Sequence, residues 1–419
     1  MDSNSYSGGL ATDPETESLI ADRIRMLGPA YRLFYERPVH LVRGQGSHLF
    51  DADGARYLDA YNNVVSVGHC HPRVVDAVTR QMQTLNTHTR YVHEGIVGYS
   101  RRLLATMPDD VDQVMYACTG SEANDLALRV AQTHTGARGV IVTSDAYHGN
   151  TEAVTAISPS LGGATVVGPH VRTVSAQTLD VAAAIKDLHD SGHGVSCLIV
   201  DTIFASDGIF PDPTVLAPAV EAVRAAGGVF IADEVQPGFG RTGEAMWGFA
   251  RHGVMPDLVT MGKPMANGLP VAAMAARSHV LETFARGVPY FNTFGGNPVS
   301  MAAAAAVFDV IEDENLIDNA ARVGTALRDE IARIGADHPR IGEVRGCGLY
   351  VGVEVVTPSG APDRTGAHDL VNAMRDRHVL ISVCGSDGNV LKVRPPLVFT
   401  MADVDWFCTE FESALAELS

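Results

Sequence analysis

The sequence predicts an α/β protein: a mostly parallel central sheet with helices on both faces, followed by a smaller α+β unit. Two patterns carry this expectation. Short apolar runs recur through the middle of the chain: "QVMYAC" (113–118), "GVIVTS" (139–144), "VSCLIVDTI" (195–203), "GGVFIADEV" (227–235), "DLVTMG" (257–262) and "PVAAMAA" (270–276). A run that is apolar at nearly every position, rather than at alternate ones, is a strand covered on both sides. Stretches with helical periodicity separate the earlier runs, among them "SEANDLALRVAQTH" and "VLAPAVEAVRAA". That alternation of strand and helix puts crossover helices on both faces of a parallel sheet. The composition agrees: 419 residues, 46% hydrophobic and 19% charged, are enough to bury a large core in two or three structural units.

Taken in order, the first 18 residues, "MDSNSYSGGLATDPETES", are polar and acidic and read as a loose arm. They lack the basic-then-apolar layout of a secretory signal, and no apolar run reaches the roughly 18 residues of a membrane span. A cytoplasmic protein is the expectation. "SHLFDADGARYLDA" alternates around Asp53-Gly54 and reads as a β-hairpin. From about residue 72 helix and strand alternate. A long Ala-rich helical tract from Val299 to about Ile334 then leaves the core. It is followed by "GEVRGCGLYVGVEV", "NVLKVRPPLVFT" and the helix "ADVDWFCTEFESALAEL", with Thr400 and Asp403 spaced as a capping box. The expected division is an N-terminal arm and hairpin segment (1–70), a large α/β domain (71–306) and a small C-terminal α+β domain (307–419).

Several function classes are disfavoured at once. Net charge is −18, from 31 basic and 49 acidic residues, and no Lys/Arg cluster suited to a nucleic-acid backbone occurs. The six cysteines are scattered without paired spacing, which fits reduced thiols. The His69-Cys70-His71 cluster has no second ligand pair, and neighbours in an extended chain point to opposite faces, so no metal site is expected.

Ligands of open α/β sheets bind beyond the carboxyl ends of the strands, and four segments lie there. In "CTGSEAN", Thr119 and Glu122 have capping-box spacing, and Gly120-Ser121 would leave N–H groups free for an anion at the positive helix end. In "DAYHGN", Tyr147 and His148 offer aromatic surface for a planar ligand. In "FIADEVQPGFGRTG", Asp233 ends an apolar strand and needs a cationic or hydrogen-bonding partner. Gly238, Gly240 and Gly243 have G-x-G-x-x-G spacing, but no clear helix opens at the third glycine, which argues against a dinucleotide fingerprint. In "DLVTMGKPMANGLP", Lys263 follows a strand and is the only lysine between Lys186 and Lys392. At the rim of an apolar site its pKa would be depressed, giving a free amine able to form a Schiff base. Each segment alone has an ordinary structural reading: a capped helix, a buried Tyr-His turn, a surface lysine. Together they supply the phosphate cradle, ring stacker, pyridinium partner and imine-forming amine that pyridoxal phosphate requires.

"TGSEANDLAL", "YHGN", "FIADEVQPGFGRTG", "MGKPMANGLPVAAM" and "TFGGNP" resemble the class III aminotransferase family of fold-type I pyridoxal phosphate enzymes, over nearly the whole chain after about residue 30. The resemblance implies pyridoxal 5'-phosphate as cofactor. It places Gly120 and Ser121 on the phosphate, Tyr147 on the ring with His148 beside it, and Asp233 on the pyridinium nitrogen. It further places Val235 against the ring, Gln236 near the phenolic oxygen and Lys263 as the Schiff-base lysine. Thr293 would reach the phosphate of the neighbouring subunit, so a homodimer with shared active sites is implied.

Two reactions fit this resemblance. In both, Lys263 is displaced by the substrate amine and then removes a proton from the carbon bearing it, while Asp233 holds the protonated cofactor nitrogen. A transaminase then reprotonates the cofactor carbon, whereas a lyase expels a group from the neighbouring carbon. "YLDAYNNVVSVGHCHP" has Asn62-Asn63 where many members carry a glycine-containing turn, and "VDTIFASDG" has Asp201 and Thr202 where transaminases usually begin Glu-Pro or Glu-Ser. The "NNV", "GHCHP" and "LNTHTRYVHE" segments are similar to ethanolamine-phosphate phospho-lyases, a branch beside the alanine:glyoxylate aminotransferase 2 type. That similarity implies conversion of O-phosphoethanolamine to acetaldehyde, ammonia and phosphate. The alternative is amino transfer between an amine or amino acid and a keto acid or aldehyde. Arg394 in "LKVRPPL" matches the family's substrate-carboxylate arginine and suits a phosphate equally, or forms a structural ion pair in the small domain; it does not choose between the reactions. A non-catalytic binding protein on the same fold would need Lys263 or Asp233 missing, and both are present.

Overall fold

The computed structural model describes residues 5–6, 13–162 and 166–418. Asp13 caps helix α1 (Pro14–Leu27) by accepting the Thr16 N–H, with proline in the first turn and Glu15 and Glu17 near the positive end. The arm expected over residues 1–18 therefore gives way to helix from residue 14, and residues 1–4 and 7–12 of it lie outside the described residues. Strands β1 (Leu41–Gln45), β2 (His48–Asp51) and β3 (Arg56–Asp59) make an antiparallel meander, and the expected hairpin is its β2–β3 pair.

After helices α2 (Pro72–Thr84) and α3 (Glu94–Leu104) the chain enters the large sheet. In order come β4 (Val111–Ala117), α4 (Gly120–Thr135), β5 (Gly139–Thr143), α5 (Glu152–Thr155), β6 (Val171–Val174), α6 (Ala182–Asp190) and β7 (Val195–Asp201). Then follow α7 (Leu216–Ala225), β8 (Val229–Asp233), β9 (Leu258–Met261), β10 (Ala272–Arg277) and α8 (Ser278–Gly287). The strands lie in the order β4-β10-β9-β8-β7-β5-β6. All neighbours from β9 to β6 are parallel, and β10 runs antiparallel to both β9 and β4. Only a 3₁₀ turn separates β9 from β10, too little for the crossover a parallel pair needs. Strand β6 was not expected: Arg172 and Thr173 interrupt its apolar run because it is an edge strand covered on fewer sides.

Burial on both faces divides the strand residues alternately. Val140, Val142, Cys197, Ile199 and Ile231 pack on one side, and Ile141, Leu198, Val200, Phe230 and Ala232 pack on the other. The period of two is present in space but invisible in a sequence whose two faces are equally apolar.

The Ala-rich tract is two helices, α9 (Pro298–Asp313) and α10 (Leu316–Gly335), broken where Asn315 takes φ 51°. A left-handed residue cannot continue a helix, and asparagine is among the few that tolerate it. The remaining elements are β11 (Ile341–Cys347), β12 (Tyr350–Val355), α11 (Arg364–Asp376), β13 (Val379–Leu380), β14 (Ser382–Cys384), β15 (Val390–Val393) and α12 (Met401–Ala416). The Thr400/Asp403 capping box opens α12 as expected. An antiparallel sheet runs β11-β12-β15-β14, while β13 pairs in parallel with β3. The loop after β3 is thereby held to the segment after β15, with Arg394 N–H on Ala60 O and Leu397 N–H on Ser66 O, both at 2.7 Å. Gly243 shows what the glycine-rich loop is for: at φ 72°, a Cβ there would lie 2.5 Å from the Ala321 nitrogen of α10. The loop packs on a helix instead of opening one. Among the described residues no helix is long and apolar enough to cross a membrane.

Candidate active site

Parallel pairing of β7 with β8 puts Asp201 and Asp233 opposite each other at the carboxyl ends of their strands, and Lys263 follows just beyond the end of β9. With the start of α4 and the loop after β5 they enclose a cavity of about 300 Å³. This is the edge where open α/β sheets bind ligands.

One end of the cavity is built for an anion. Glu122 accepts the N–H groups of Cys118 and Thr119 at 2.9 Å, and Thr119 Oγ1 accepts the Glu122 N–H at 3.2 Å, so the capping box of α4 is complete. Gly120 and Ser121 line the cavity, and their N–H groups have no protein acceptor among the described residues. Free N–H groups at the positive end of a 16-residue helix can receive an anion. Gly149, at φ 137°, lets the "YHGN" loop close on that helix, because a Cβ there would sit 2.4 Å from Ser121 Oγ. That loop sets Tyr147 and His148 in the cavity wall, which Val235 and Gln236 also line.

Asp233 and Asp201 also line the cavity. Asp233 is buried, with Oδ1 accepting the Val235 N–H at 3.0 Å. Its Oδ2 accepts His148 Nδ1 at 2.7 Å and Asn124 Nδ2 at 2.9 Å. Thr260 Oγ1 donates to Asn124 Oδ1 at 2.5 Å and so fixes which way the Asn124 amide faces. Because a carboxylate only accepts, Nδ1 of His148 carries the proton, and Nε2 has no partner among the described residues. His148 is thus bonded to Asp233 as well as lining the cavity beside Tyr147.

Burial holds the Lys263 amine below its ordinary pKa; the Arg394 charge adds to this, and Asp233 and Asp201 oppose it. A larger neutral fraction at neutral pH makes the amine a nucleophile and a base. Asp201 is pushed up to about 6 by burial and by the charge of Asp233. Its oxygens accept the Ile203 and Ala205 N–H groups. The neighbouring Thr202 donates to the fully buried Glu234 at 2.7 Å, outside the cavity.

Arg394 is buried, and it stands behind Gln236 rather than in the cavity wall. It donates to Gln236 Oε1 and to Tyr61 O, and its guanidinium lies 5.0 Å from the centre of the Tyr61 ring. It pairs with no carboxylate among the described residues, so the structural ion pair considered for it is not formed. Lys392, on β15, lies two residues before Arg394, which follows the end of that strand. It is 8% exposed, pairs with no carboxylate among the described residues, and is pushed down to about 8 by burial and by Arg394. Sequence reasoning passed over Lys392, although the chain has only three lysines and this one precedes Arg394 by two residues. It also gave no role to Asn124, inside a quoted motif, or to the side chain of Asn63, which donates to Gln236 at 3.3 Å.

Thr293 is exposed and outside its own chain's cavity. The preceding residue, Asn292, donates to Glu122 at 3.2 Å and so ties this loop to the start of α4. In the His69-Cys70-His71 cluster, His69 bonds Asp59 and His71 bonds Glu314, and no group of metal-ligating side chains is assembled among the described residues.

The geometry has counterparts in known proteins. The family described as Aminotransferase class-III matches residues 34–415. "Alanine--glyoxylate aminotransferase 2-like" of Drosophila melanogaster is 40% identical over 94% of this chain and 86% of its own length. "Ethanolamine-phosphate phospho-lyase homolog 1" of Caenorhabditis elegans is 33% identical over 91% of this chain and 90% of its own. A solved phospholyase from Arthrobacter in complex with phosphoethanolamine superposes with a TM-score of 0.93 at 42% identity, covering 96% of this chain and all of that one.

Proposed function

The chain belongs to the class III aminotransferase family, and from that premise we propose that it is a pyridoxal-phosphate-dependent phospho-lyase, converting O-phosphoethanolamine and water to acetaldehyde, ammonia and phosphate. The observation that carries the reading is a pair of buried cations, Arg394 and Lys392, beside the cavity with no carboxylate paired to either among the described residues. Burying an uncompensated charge costs several kcal/mol. A substrate phosphate, near −2 at neutral pH, compensates both cations, where a carboxylate compensates one. The solved Arthrobacter phospholyase, with phosphoethanolamine bound, supports the same choice.

In this reading the Gly120 and Ser121 N–H groups would hold the cofactor phosphate, and Tyr147 and Val235 would pack against its ring. Asp233, held in place by His148 and Asn124, would keep a proton on the ring nitrogen, and Gln236 would lie near the phenolic oxygen. When bound through Lys263, the cofactor supplies the electron sink that makes the carbon beside the amine acidic. Lys263 Nζ, once displaced by the substrate amine, takes that carbon's proton. Arg394 and Lys392 hold the phosphate and stabilise the charge it carries away as its carbon–oxygen bond breaks.

Thr293, on an exposed loop with Phe291 and Phe294, reaches the cofactor phosphate of a second subunit in a homodimer whose contact includes the exposed Tyr91 and Val92. Amino transfer is the second reading, supported by relatives named aminotransferases.

Phosphate recognition has a pH signature. Lys392 is cationic below its pKa of about 8 and neutral above it. The substrate phosphate is already doubly ionised there. The KM for O-phosphoethanolamine should therefore rise several-fold between pH 7 and pH 9.5, and the KM for an unphosphorylated amine should not. Lys392→Met should raise the pH 7 value by about tenfold and flatten the profile, a charge-assisted hydrogen bond contributing about 1.5–3 kcal/mol. Equal pH profiles for the two amines would remove Lys392 from the substrate site.

A further inference from the structure

Arg394 is held in an unusual way for a buried cation. Its side-chain acceptor is an amide oxygen, Gln236 Oε1, and the same oxygen also accepts Asn63 Nδ2 at 3.3 Å. Both amides are buried. The polarity of this network follows from chemistry: a guanidinium can only donate, so the Gln236 atom facing it is the oxygen, and the Asn63 atom facing that oxygen is its NH₂. The Gln236 NH₂ has no protein acceptor among the described residues, and Gln236 lines the cavity. An amide dipole orients a guanidinium without cancelling its charge, whereas a carboxylate in the same place would neutralise it.

We infer that Asn63 is a positioning residue: by fixing the Gln236 amide it keeps Arg394 oriented, charged and releasable, so that an incoming substrate anion displaces a neutral acceptor instead of a competing carboxylate. This rests on the assignment of Arg394 to the substrate's anionic group. It also gives the Asn62-Asn63 departure a physical meaning. Asn62 shapes the turn by accepting the Val64 N–H at 3.1 Å, and Asn63 is the member aimed at the site. The exchange is favourable because a substrate anion offers the guanidinium a full opposite charge, where the amide oxygen offers only a dipole.

Asn63→Asp tests this in the holoenzyme. The added carboxylate should compete for Arg394, raising the KM for O-phosphoethanolamine and the inhibition constant of inorganic phosphate by about tenfold each, with kcat within about threefold of wild type. Asn63→Ala, which removes the donor but adds no charge, should raise both constants by about threefold, and Asn63→Ser should lie nearer wild type. A second readout needs no turnover: inorganic phosphate and acetate are titrated into each variant, and dissociation constants are taken from the cofactor's visible absorbance. Should wild type release no phosphate from O-phosphoethanolamine, the phospho-lyase reading fails, and these dissociation constants still decide the role of Asn63. Weakening of anion binding by about tenfold in Asn63→Asp supports it. Unchanged anion binding in Asn63→Asp, or in Asn63→Ala should the charged variant not fold, overturns it. Equal losses toward phosphorylated and unphosphorylated amines also overturn it.

Discussion

Lys263→Ala is expected to lose the visible absorbance of the lysine-linked cofactor and to slow turnover by at least about 10⁴-fold. Two roles disappear together, because in the proposed mechanism one amine anchors the cofactor and also moves the substrate proton. No other lysine can take over: Lys186 is exposed, on α6, and Lys392 is fixed in a strand of the smaller sheet. Stability should hold or rise slightly, since the amine forms no ion pair among the described residues and its removal relieves a buried charge. An absorbance spectrum, a rate and a melting curve on one preparation check all three parts. Normal turnover by this variant would overturn the site.

Asp233→Asn is expected to retain the cofactor and lower kcat by about 10²–10³-fold, the range for losing one preorganised electrostatic partner. The proposed phosphate end is untouched by the change, so binding through Gly120 and Ser121 should persist. Oδ2 of Asp233 now accepts from both His148 and Asn124. An amide of the same shape either turns its NH₂ toward those donors or loses the Val235 N–H, leaving a buried donor unpaired at a cost of about 1–3 kcal/mol. A lower melting temperature should therefore accompany the slower rate. A variant with wild-type kcat would show that the strand-end carboxylate has no part in the chemistry.

What could be read from the sequence was local. The strands of the large sheet are continuous apolar runs, the helix starts at Thr119 and Thr400 carry their own capping partners, and Asp233 and Lys263 stand out because a charge rarely ends such a run. The features that escaped depend on residues far apart in the chain. The β3–β13 pairing joins residues 58–59 to 379–380, and no local pattern announces it. Strand β6 is short and half polar because it lies at an edge. The break at Asn315 is one residue of left-handed backbone inside an otherwise helical composition. At the site, Asn124 became meaningful only when β8, β9 and the His148 loop converged on it, and Asn63 only when Gln236 and Arg394 were seen to meet. Lys392 was legible in principle, being two residues before Arg394, but a lysine in a strand declares its burial only in three dimensions.

The most direct test is to supply the cofactor-saturated protein with O-phosphoethanolamine and no keto acid, and to follow phosphate, acetaldehyde and the cofactor's absorbance together. Phosphate and acetaldehyde should appear in equal amounts, well beyond one per active site, and the absorbance should return to its starting form. A single stoichiometric conversion of the cofactor to its aminated form, with no phosphate released and turnover resuming only on addition of a keto acid, would contradict the phospho-lyase and leave an aminotransferase.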